Sequence, residues 1–153
     1  MNDIKYDKDN FSFAYRVSAI IYNSDKTKIL LFRGNDRNFY MLPGGKVHEL
    51  EKSEDAIRRE IKEEIGFEDL EFEMAGVSEE IVKEKNIHQI TFTYKTTYKN
   101  EIKEEKFKSI ETDWINFEWV DVNKLNNYEI HPSNIIKMLN NSKFEHLVEK
   151  ISY

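Results

Sequence analysis

The sequence predicts an α/β fold, a sandwich in which a mixed β-sheet lies between helices. Segments that alternate polar and apolar residues are interspersed with segments of helical spacing, an order typical of such sandwiches. The 153 residues, 39% of them hydrophobic and 13% aromatic, are enough to bury a core. There are only two prolines and no linker, repeat or low-complexity segment, so we expect a single domain over residues 1–153.

The first strands are predicted from alternation and from turn residues. Val17, Ala19 and Ile21 share one face of an alternating segment, as in a half-buried strand. Polar residues of the kind found in turns follow, and a second apolar run returns. The predicted strands here cover residues 13–22, 29–32 and 39–42, separated by a turn at 23–26 and a loop at 33–38.

A helix is predicted between Ser53 and Gly66. Ser53 offers the hydroxyl typical of an N-cap, and acidic residues follow it near the positive end of the helix dipole. Gly66 suits the left-handed conformation that commonly ends a helix. The apolar side of this helix consists of three isoleucines spaced four residues apart: Ile57, Ile61 and Ile65.

Three further strands and two helices are predicted after this helix. Phe72 and Met74 alternate with glutamates in a half-exposed strand, and strands follow over residues 87–98 and 117–120. Pro132 suits a first helical turn. That helix is expected to bury Ile135, Met138 and Leu139, and helical spacing continues to the C-terminus at Phe144, Leu147, Val148 and Ile151.

Residues 45–67 carry the most specific pattern in the chain. They read GKVHELEKSEDAIRREIKEEIGF and fit G-x5-E-x7-R-E-U-x-E-E-x-G-U without a departure, where U is a bulky apolar residue. This pattern is the Nudix box, so the chain resembles the Nudix hydrolases. The fixed positions are Gly45, Glu51, Arg59, Glu60, Glu63, Glu64 and Gly66, with Ile61 and Phe67 at the apolar places.

The box helix brings three carboxylates together beside its apolar stripe. Glu60, Glu63 and Glu64 are neighbours on a helix surface, and burying them unpaired would be costly. A bound divalent cation relieves that cost, and oxygen ligands favour Mg²⁺, with Mn²⁺ as a substitute. An ordinary solvated helix face is the alternative for such a run. Glu51 and Arg59 at their required spacing favour the metal site instead.

The resemblance implies a reaction and a role for each box residue. Nudix hydrolases cleave a nucleoside diphosphate linked to another group, by water attack on the phosphoanhydride. Glu60, Glu63 and Glu64 would hold the metal with the carbonyl of Gly45, while Arg59 and Glu51 would form a supporting pair. The general base is left between a box glutamate, with Glu60 preferred, and a loop carboxylate: Glu104, Glu105, Glu111 or Asp113.

Residues outside the helix are candidates for binding the substrate. Arg33, Arg16 and Arg37 carry the planar fork that matches phosphate oxygens, with Arg33 preferred. Gly44 allows backbone to approach a ligand closely. Tyr40 is a candidate base-stacking platform, together with Tyr94 and Trp114, whereas Phe92 and Trp119 are expected in the core.

Family motifs for ADP-ribose, dinucleoside polyphosphate and NADH hydrolysis are missing, which favours nucleoside triphosphates and other small nucleotides.

Composition excludes several other classes of function. The net charge of −6 disfavours a stable complex with nucleic acid. Without cysteine, and with four unclustered histidines (His48, His88, His131 and His146), a zinc site is disfavoured. No apolar run could cross a membrane or form a signal peptide, so we expect a cytoplasmic protein.

Two alternatives to a hydrolase remain: a nucleotide-sensing module without turnover, and a protein whose main role is interaction with a partner. Both a monomer and a homodimer are open.

Overall fold

The computed structural model describes residues 1–139 and 141–151, which form nine strands, two α-helices and two 3-10 helices. The strands are β1 (Lys5–Lys8), β2 (Phe11–Tyr22), β3 (Lys28–Gly34), β4 (Gly44–Lys46), β5 (Glu73–Val82), β6 (Ile87–Thr97), β7 (Lys106–Lys108), β8 (Ile115–Asp121) and β9 (Glu145–Ile151). The helices are α1 (Ser53–Ile65) and α2 (Ile135–Leu139), with 3-10 turns at Lys83–Lys85 and Val122–Asn127.

The strands form one mixed sheet that splits along β2. Its order is β7-β8-β3-β2-β6-β5-β9, and β1 and β4 pair with β2 outside this path. β2 runs parallel to β6 along its length, and β5 runs parallel to β9, while the other pairs are antiparallel. β2 bonds to β3 only at Tyr22 and Ile29, then to β4 from Arg16 to Ser18. β4 therefore enters the gap between β2 and β3, directly before α1.

Two apolar clusters cover the two faces of the sheet. Val17 and Ala19 pack with Ile57 and Ile61 of α1, and all four are fully or almost fully buried. The second cluster joins sheet residues to α2 and to the 3-10 helix before it: Ile20, Ile29, Leu31 and Val120 with Leu125, Ile135 and Met138. This arrangement confirms the predicted α/β sandwich with a mixed sheet between helices.

The box helix begins and ends close to the predicted residues, but its start differs in chemistry. Lys52 takes the N-cap position and makes no side-chain capping bond. Ser53 is instead the first helical residue, and its hydroxyl lies 2.6 Å from the hydroxyl of Tyr94. The predicted N-cap at Ser53 is therefore wrong, because the Ser53 side chain bonds across to β6. Gly66 ends the helix at φ 78°, as predicted.

The predicted C-terminal helix is wrong, since this segment forms strand β9. β9 pairs in parallel with β5, from Gly76 opposite Glu145 onwards. Leu147 joins the second apolar cluster, while Phe144 and Val148 stay exposed. The strand gives the backbone groups at the edge of β5 their partners, which a helix could not do.

Other predicted boundaries also changed. Residues 39–42 form isolated bridges, with Met41 opposite Phe32 and Tyr40 opposite Ile130, instead of a continuous strand. The short strands β1, β4 and β7 were not predicted. α2 begins at Ile135, three residues after Pro132, and Ile135 and Met138 are buried as expected. In the part of the chain that the structure covers, no helix has the length and apolarity to traverse a bilayer.

Candidate active site

A bidentate ion pair ties the loop before α1 to the helix. Nε of Arg59 donates to Oε1 of Glu51 at 2.9 Å, and Nη2 donates to Oε2 at 3.1 Å. Glu51 also accepts from the backbone N–H of His48, and Nη2 of Arg59 donates to the carbonyl of Lys46. The hydrogen bond from Arg59 holds the pKa of Glu51 below its usual range. The loop and helix are therefore locked together, as expected of this pair.

The same guanidinium reaches two of the three carboxylates of Glu60, Glu63 and Glu64, which form the acidic cluster of α1. Nη1 of Arg59 lies 2.8 Å from Oε1 of Glu60 and 3.1 Å from Oε2 of Glu63. The Glu60 side chain is 14% exposed, whereas that of Glu63 is 47% exposed. Burial raises the pKa of Glu60, Arg59 lowers it, and Glu63 raises it further. Arg59 thus offsets part of the repulsion within the cluster.

The two glycines of β4 allow close contacts of different kinds. An ideal Cβ on Gly45 would lie 2.2 Å from the carboxyl carbon of Glu60, so the carboxylate occupies that space. A Cβ on Gly44 would lie 2.1 Å from the carbonyl oxygen of Val17 on β2. Gly45 therefore makes room for the glutamate, and Gly44 makes room for the neighbouring strand.

Glu64 is the most buried carboxylate of the cluster, with 7% of its surface exposed. Burial, then the charges of Glu60 and Glu111, raise its pKa to about 8, while Arg16 and a bond from the Gly44 backbone oppose the shift. Within residues 1–139 and 141–151, its Oε2 atom has no hydrogen-bond partner. One oxygen of this buried carboxylate therefore lacks a partner, which a bound proton or cation would supply.

A loop that follows β7 is anchored to the last turn of α1. The carbonyl oxygen of Glu64 accepts from the hydroxyl of Ser109 and from the backbone N–H of Ile110, both at 3.0 Å. The Ser109 hydroxyl in turn accepts from the backbone N–H of Glu111 at 3.2 Å. These bonds bring Glu111 close enough to raise the pKa of both Glu60 and Glu64. The sequence carried no signal that selected Ser109 as an anchor.

Among the loop carboxylates, the structure singles out Glu111. Glu105 pairs instead with Lys28 at the start of β3. Glu104 and Asp113 have no contact with the acidic cluster among the interactions of the described chain. Glu111 is therefore the loop candidate that the fold brings to the box glutamates.

The residues fit a divalent cation, although they do not converge on one. Across the described ranges, no three acidic or histidine side chains are already arranged as a metal site. Arg59 draws Glu60 and Glu63 towards itself, while Glu64 keeps an oxygen without a partner. Burial raises the pKa of Glu60 and of Glu64, and a hard cation, which prefers oxygen donors, would offset the cost of ionising both.

The histidines are dispersed. His48 lies between Asp3 and Glu51, His131 pairs with Glu129, and His146 pairs with Glu79. His88 packs its ring against Phe13.

The substrate-binding candidates fall into two places. Arg16 lies near Glu64 and near the buried Glu80, because its charge lowers the pKa of both carboxyls against the larger effect of burial. Arg33 stacks over the ring of Tyr40, with its guanidinium carbon 5.1 Å from the ring centroid. The Tyr40 hydroxyl donates to Glu118 at 3.0 Å.

The remaining aromatic candidates divide between the core and the surface. Trp119 is buried at 4% exposure, and Phe92 packs against the same cluster, so their predicted core positions are confirmed. Tyr94 is buried in the core at 3% exposure and bonds Ser53, so its prediction as a base-stacking platform is wrong. Trp114 is 50% exposed. Arg37 lies over Phe39, at 5.6 Å from the ring centroid.

Comparison with curated proteins gives distant relatives. The mRNA-decapping enzyme subunit 2 of Saccharomyces cerevisiae strain YJM789 is 29% identical over 133 residues. The m7GpppN-mRNA hydrolase of S. cerevisiae strain ATCC 204508 / S288c has the same identity over the same length. Each alignment covers 81% of this chain but only 12% of the relative. The chain therefore spans a small part of the length of these proteins.

Solved structures share the fold at low sequence identity. A MutT protein from Bacillus halodurans has a TM-score of 0.70 at 19% identity, covering 91% of this chain and 90% of its own. A MutT Nudix hydrolase from Burkholderia pseudomallei has a TM-score of 0.66 at 21% identity, covering 86% and 98%. The Escherichia coli dihydroneopterin triphosphate pyrophosphohydrolase has a TM-score of 0.65 at 18% identity, covering 82% and 91%.

The family profile described as NUDIX domain matches residues 12–139, from β2 to the end of α2. That range includes the ion pair between Arg59 and Glu51, the acidic cluster and the loop anchored at Glu64. Because this profile covers most of the chain, the chain belongs to the Nudix family.

Proposed function

We propose that this protein hydrolyses a phosphoanhydride bond in a nucleoside diphosphate linked to another group, with a small nucleotide or nucleoside triphosphate as substrate. The main support is the acidic side of α1, where buried Glu64 keeps an oxygen without a hydrogen-bond partner in the described chain. Water is the nucleophile in this proposal, because there is no cysteine and no serine in a nucleophile-elbow sequence. The whole reaction is assigned to one domain over residues 1–153.

The proposed cofactor is Mg²⁺, with Mn²⁺ as a substitute. Nudix hydrolases generally need a divalent cation, and Glu60, Glu63, Glu64 and the carbonyl oxygen of Gly45 are the proposed ligands. All are oxygen donors, which both ions prefer. When bound, such a cation neutralises charge on the diphosphate and makes water a stronger nucleophile.

The protein side chains then divide between proton transfer and positioning. Glu60 is the preferred general base: burial raises its pKa, and the adjacent Arg59 opposes that rise by favouring the ionised form. Glu111 is the alternative base, held near the cluster through Ser109. Arg59 and Glu51 position the loop and the helix, since their mutual bonds leave little freedom between the two.

Four residues are proposed to bind the nucleotide. Arg16 and Arg33 present guanidinium groups to phosphate oxygens on the sheet beside the cluster. Gly44 lets β4 approach β2 closely, and its backbone bonds Glu64 of α1. Tyr40 offers its ring for stacking, held in place by Glu118.

A capped RNA is a second candidate substrate, favoured by the likeness to the yeast m7GpppN-mRNA hydrolase. We rank it below small nucleotides because the chain carries a net charge of −6, whereas RNA-binding surfaces are usually basic. The cytoplasmic location, the absence of a stable nucleic-acid complex and the choice between monomer and homodimer stay predictions.

A hydrolysis screen tests the proposal. Nucleoside triphosphates, nucleotide sugars, dinucleoside polyphosphates and a capped trinucleotide are incubated with protein in Mg²⁺ or in EDTA. The Glu64→Gln variant serves as the matched inactive control, and products are resolved by anion-exchange chromatography. We expect Mg²⁺-dependent cleavage of at least one small nucleotide. Cleavage of the capped trinucleotide alone would replace the substrate class, and binding without turnover would favour nucleotide sensing.

A further inference from the structure

A cleft of about 320 Å³ opens between the end of β3, β7 and β8. Three of its lining residues are cationic, and one is acidic. This is a local excess of positive charge on a chain whose net charge is −6. The cations are Arg33, Lys106 and Lys108, the acid is Glu118, and Tyr40 and Asn116 also line the cleft.

The strand register places the three cations on one face of the sheet. Arg33 pairs with Asn116, which pairs with Lys108, so these three side chains form one row. Lys106 lies in the next row on the same face, because strand residues two positions apart point the same way. With strands about 4.8 Å apart, the Cα atoms of Arg33 and Lys108 are separated by roughly 10 Å, which long side chains can span.

The acidic and aromatic residues of the cleft are already engaged with each other. Glu118 accepts from the hydroxyls of Tyr40 and Tyr128, at 3.0 and 3.3 Å. It also lies 3.4 Å from Nζ of Lys106, which is 73% exposed. One carboxylate therefore holds two tyrosines and offsets part of one cation, while Arg33 and Lys108 remain for a ligand.

The cleft is joined to the acidic cluster through the backbone. Lys108 immediately precedes Ser109, whose hydroxyl donates to the carbonyl of Glu64. Consecutive Cα atoms are about 3.8 Å apart, so Lys108 in the cleft is the direct neighbour of the residue that anchors this loop to the last turn of α1. Arg33 shares a face of β3 with Leu31, and Arg16 shares a face of β2 with Ile20. Leu31 and Ile20 both belong to the apolar cluster opposite α1, so the cleft and Arg16 lie on that same face of the sheet.

We infer that this cleft binds a phosphoryl group that the substrate carries in addition to the diphosphate cleaved at the acidic helix. Cationic side chains around a cleft with a tyrosine wall suit a phosphate monoester of a small molecule. The inference rests on the proposed function, and it narrows the substrate to nucleotides that carry a phosphate monoester besides the diphosphate. A nucleic acid would need a longer basic surface than these three side chains provide.

The first test measures anion binding without turnover. Metal-free protein in EDTA is titrated with inorganic tripolyphosphate at low salt by calorimetry, and backbone amide shifts are followed by NMR. We expect the largest shifts at residues 106–108 and 116–118. Replacing both Lys106 and Lys108 by alanine should weaken binding about tenfold, because two exposed ion pairs are lost. Lys99→Ala with Lys103→Ala, which removes the same charge from exposed residues outside the cleft, is the control.

A second variant moves the affinity in the opposite direction. Glu118→Gln keeps an acceptor for the tyrosine hydroxyls but removes the negative charge beside Lys106. Tripolyphosphate binding should then tighten severalfold. Unchanged affinity in both this variant and the double lysine variant would overturn the inference, as would shifts centred elsewhere. Tighter binding of a ten-nucleotide RNA than of tripolyphosphate would overturn the small-molecule assignment.

Turnover separates this inference from the proposed function. Coenzyme A and dephospho-coenzyme A both contain a diphosphate and differ by one phosphate monoester. We expect a higher kcat/KM for coenzyme A, with the preference lost in the double lysine variant. Equal kcat/KM values would overturn the inference and leave the hydrolase function intact. No cleavage of any nucleotide, with tripolyphosphate still bound in the cleft, would overturn the proposed function alone.

Discussion

The carboxylate of Glu60 occupies the space that a side chain on Gly45 would need. An ideal Cβ at residue 45 would lie 2.2 Å from its carboxyl carbon and 2.3 and 2.4 Å from its two oxygens. Glycine at this position therefore sets where the carboxylate stands. The contact joins β4 to α1, the two elements that carry the proposed metal ligands.

Gly45→Ala should impair activity far more than stability. The clashing atoms belong to the end of a flexible side chain, so the free energy of unfolding should change by no more than about 1 kcal/mol. Displacing a catalytic carboxylate by about 1 Å can reduce turnover roughly 100-fold. Thermal melting and kcat measured on one preparation check this. A normal kcat would show that Glu60 need not occupy this position.

Gly44→Ala should behave in the opposite way, and it serves as the comparison. Its Cβ would meet the backbone of Val17 and Ser18 at 2.1 and 2.7 Å, where nothing flexible can move aside. We expect destabilisation of about 2 kcal/mol or more, equivalent to a Tm lower by roughly 4 to 8 °C. An unchanged Tm would contradict the close approach of β4 to β2.

Glu64→Gln and Glu63→Gln should each reduce hydrolysis at limiting Mg²⁺ by about 100-fold or more, because an anionic ligand is lost. Glu54→Gln is the matched control, since Glu54 lies on the same helix but pairs with Arg58 on the exposed side. Initial rates over a range of Mg²⁺ concentrations check the prediction. Near-normal turnover of the Glu64 variant at limiting Mg²⁺ would show that Glu64 is not a metal ligand.

The choice of general base predicts different responses to excess metal. If Glu60 is the base, Glu60→Gln should lower kcat strongly, with nucleotide affinity nearly intact, at any Mg²⁺ or Mn²⁺ concentration. If Glu111 is the base, that pattern should belong to Glu111→Gln, and saturating metal should restore the Glu60 variant. Titrating metal against kcat for both variants decides between them. Full rescue of both would remove both residues as bases.

The raised pKa of Glu64 predicts that metal-free protein loses stability as the pH rises. Its pKa is about 8 in the folded state and about 4.5 in the unfolded chain, so unfolding releases a proton between these values. Stabilisation is therefore complete below about pH 4.5 and lost as the pH passes 8, a change on the order of 5 kcal/mol. The free energy of unfolding, measured by urea denaturation in EDTA, should fall less between pH 5 and pH 8 in Glu64→Gln than in the wild type.

Identical losses in the wild type and the Glu64 variant would contradict this assignment. Addition of Mg²⁺ at pH 8 supplies a further check, because a ligand that binds the folded state raises its stability. We expect the wild type to gain more from Mg²⁺ than the Glu64→Gln variant does.

Local chemistry was enough to predict the box helix. The isoleucine spacing predicts its buried side, and Ile57 and Ile61 are indeed fully buried. Gly66 ends it because the left-handed conformation is a property of that residue and its immediate neighbours. Spacing on a helix also predicts that Glu60, Glu63 and Glu64 are neighbours. These relations span only a few residues, so the sequence by itself determines them.

Tertiary structure decided the features that depend on distant partners. The segment around Leu147 has helical spacing, yet it forms β9 because the edge of β5 offers backbone hydrogen bonds that spacing cannot reveal. Glu111 reaches the acidic cluster only because Ser109 bonds to the end of α1, 45 residues away in sequence. The cationic cleft likewise exists only where β3, β7 and β8 pair. Such contacts depend on which strands meet, and periodicity within one segment carries no information about that choice.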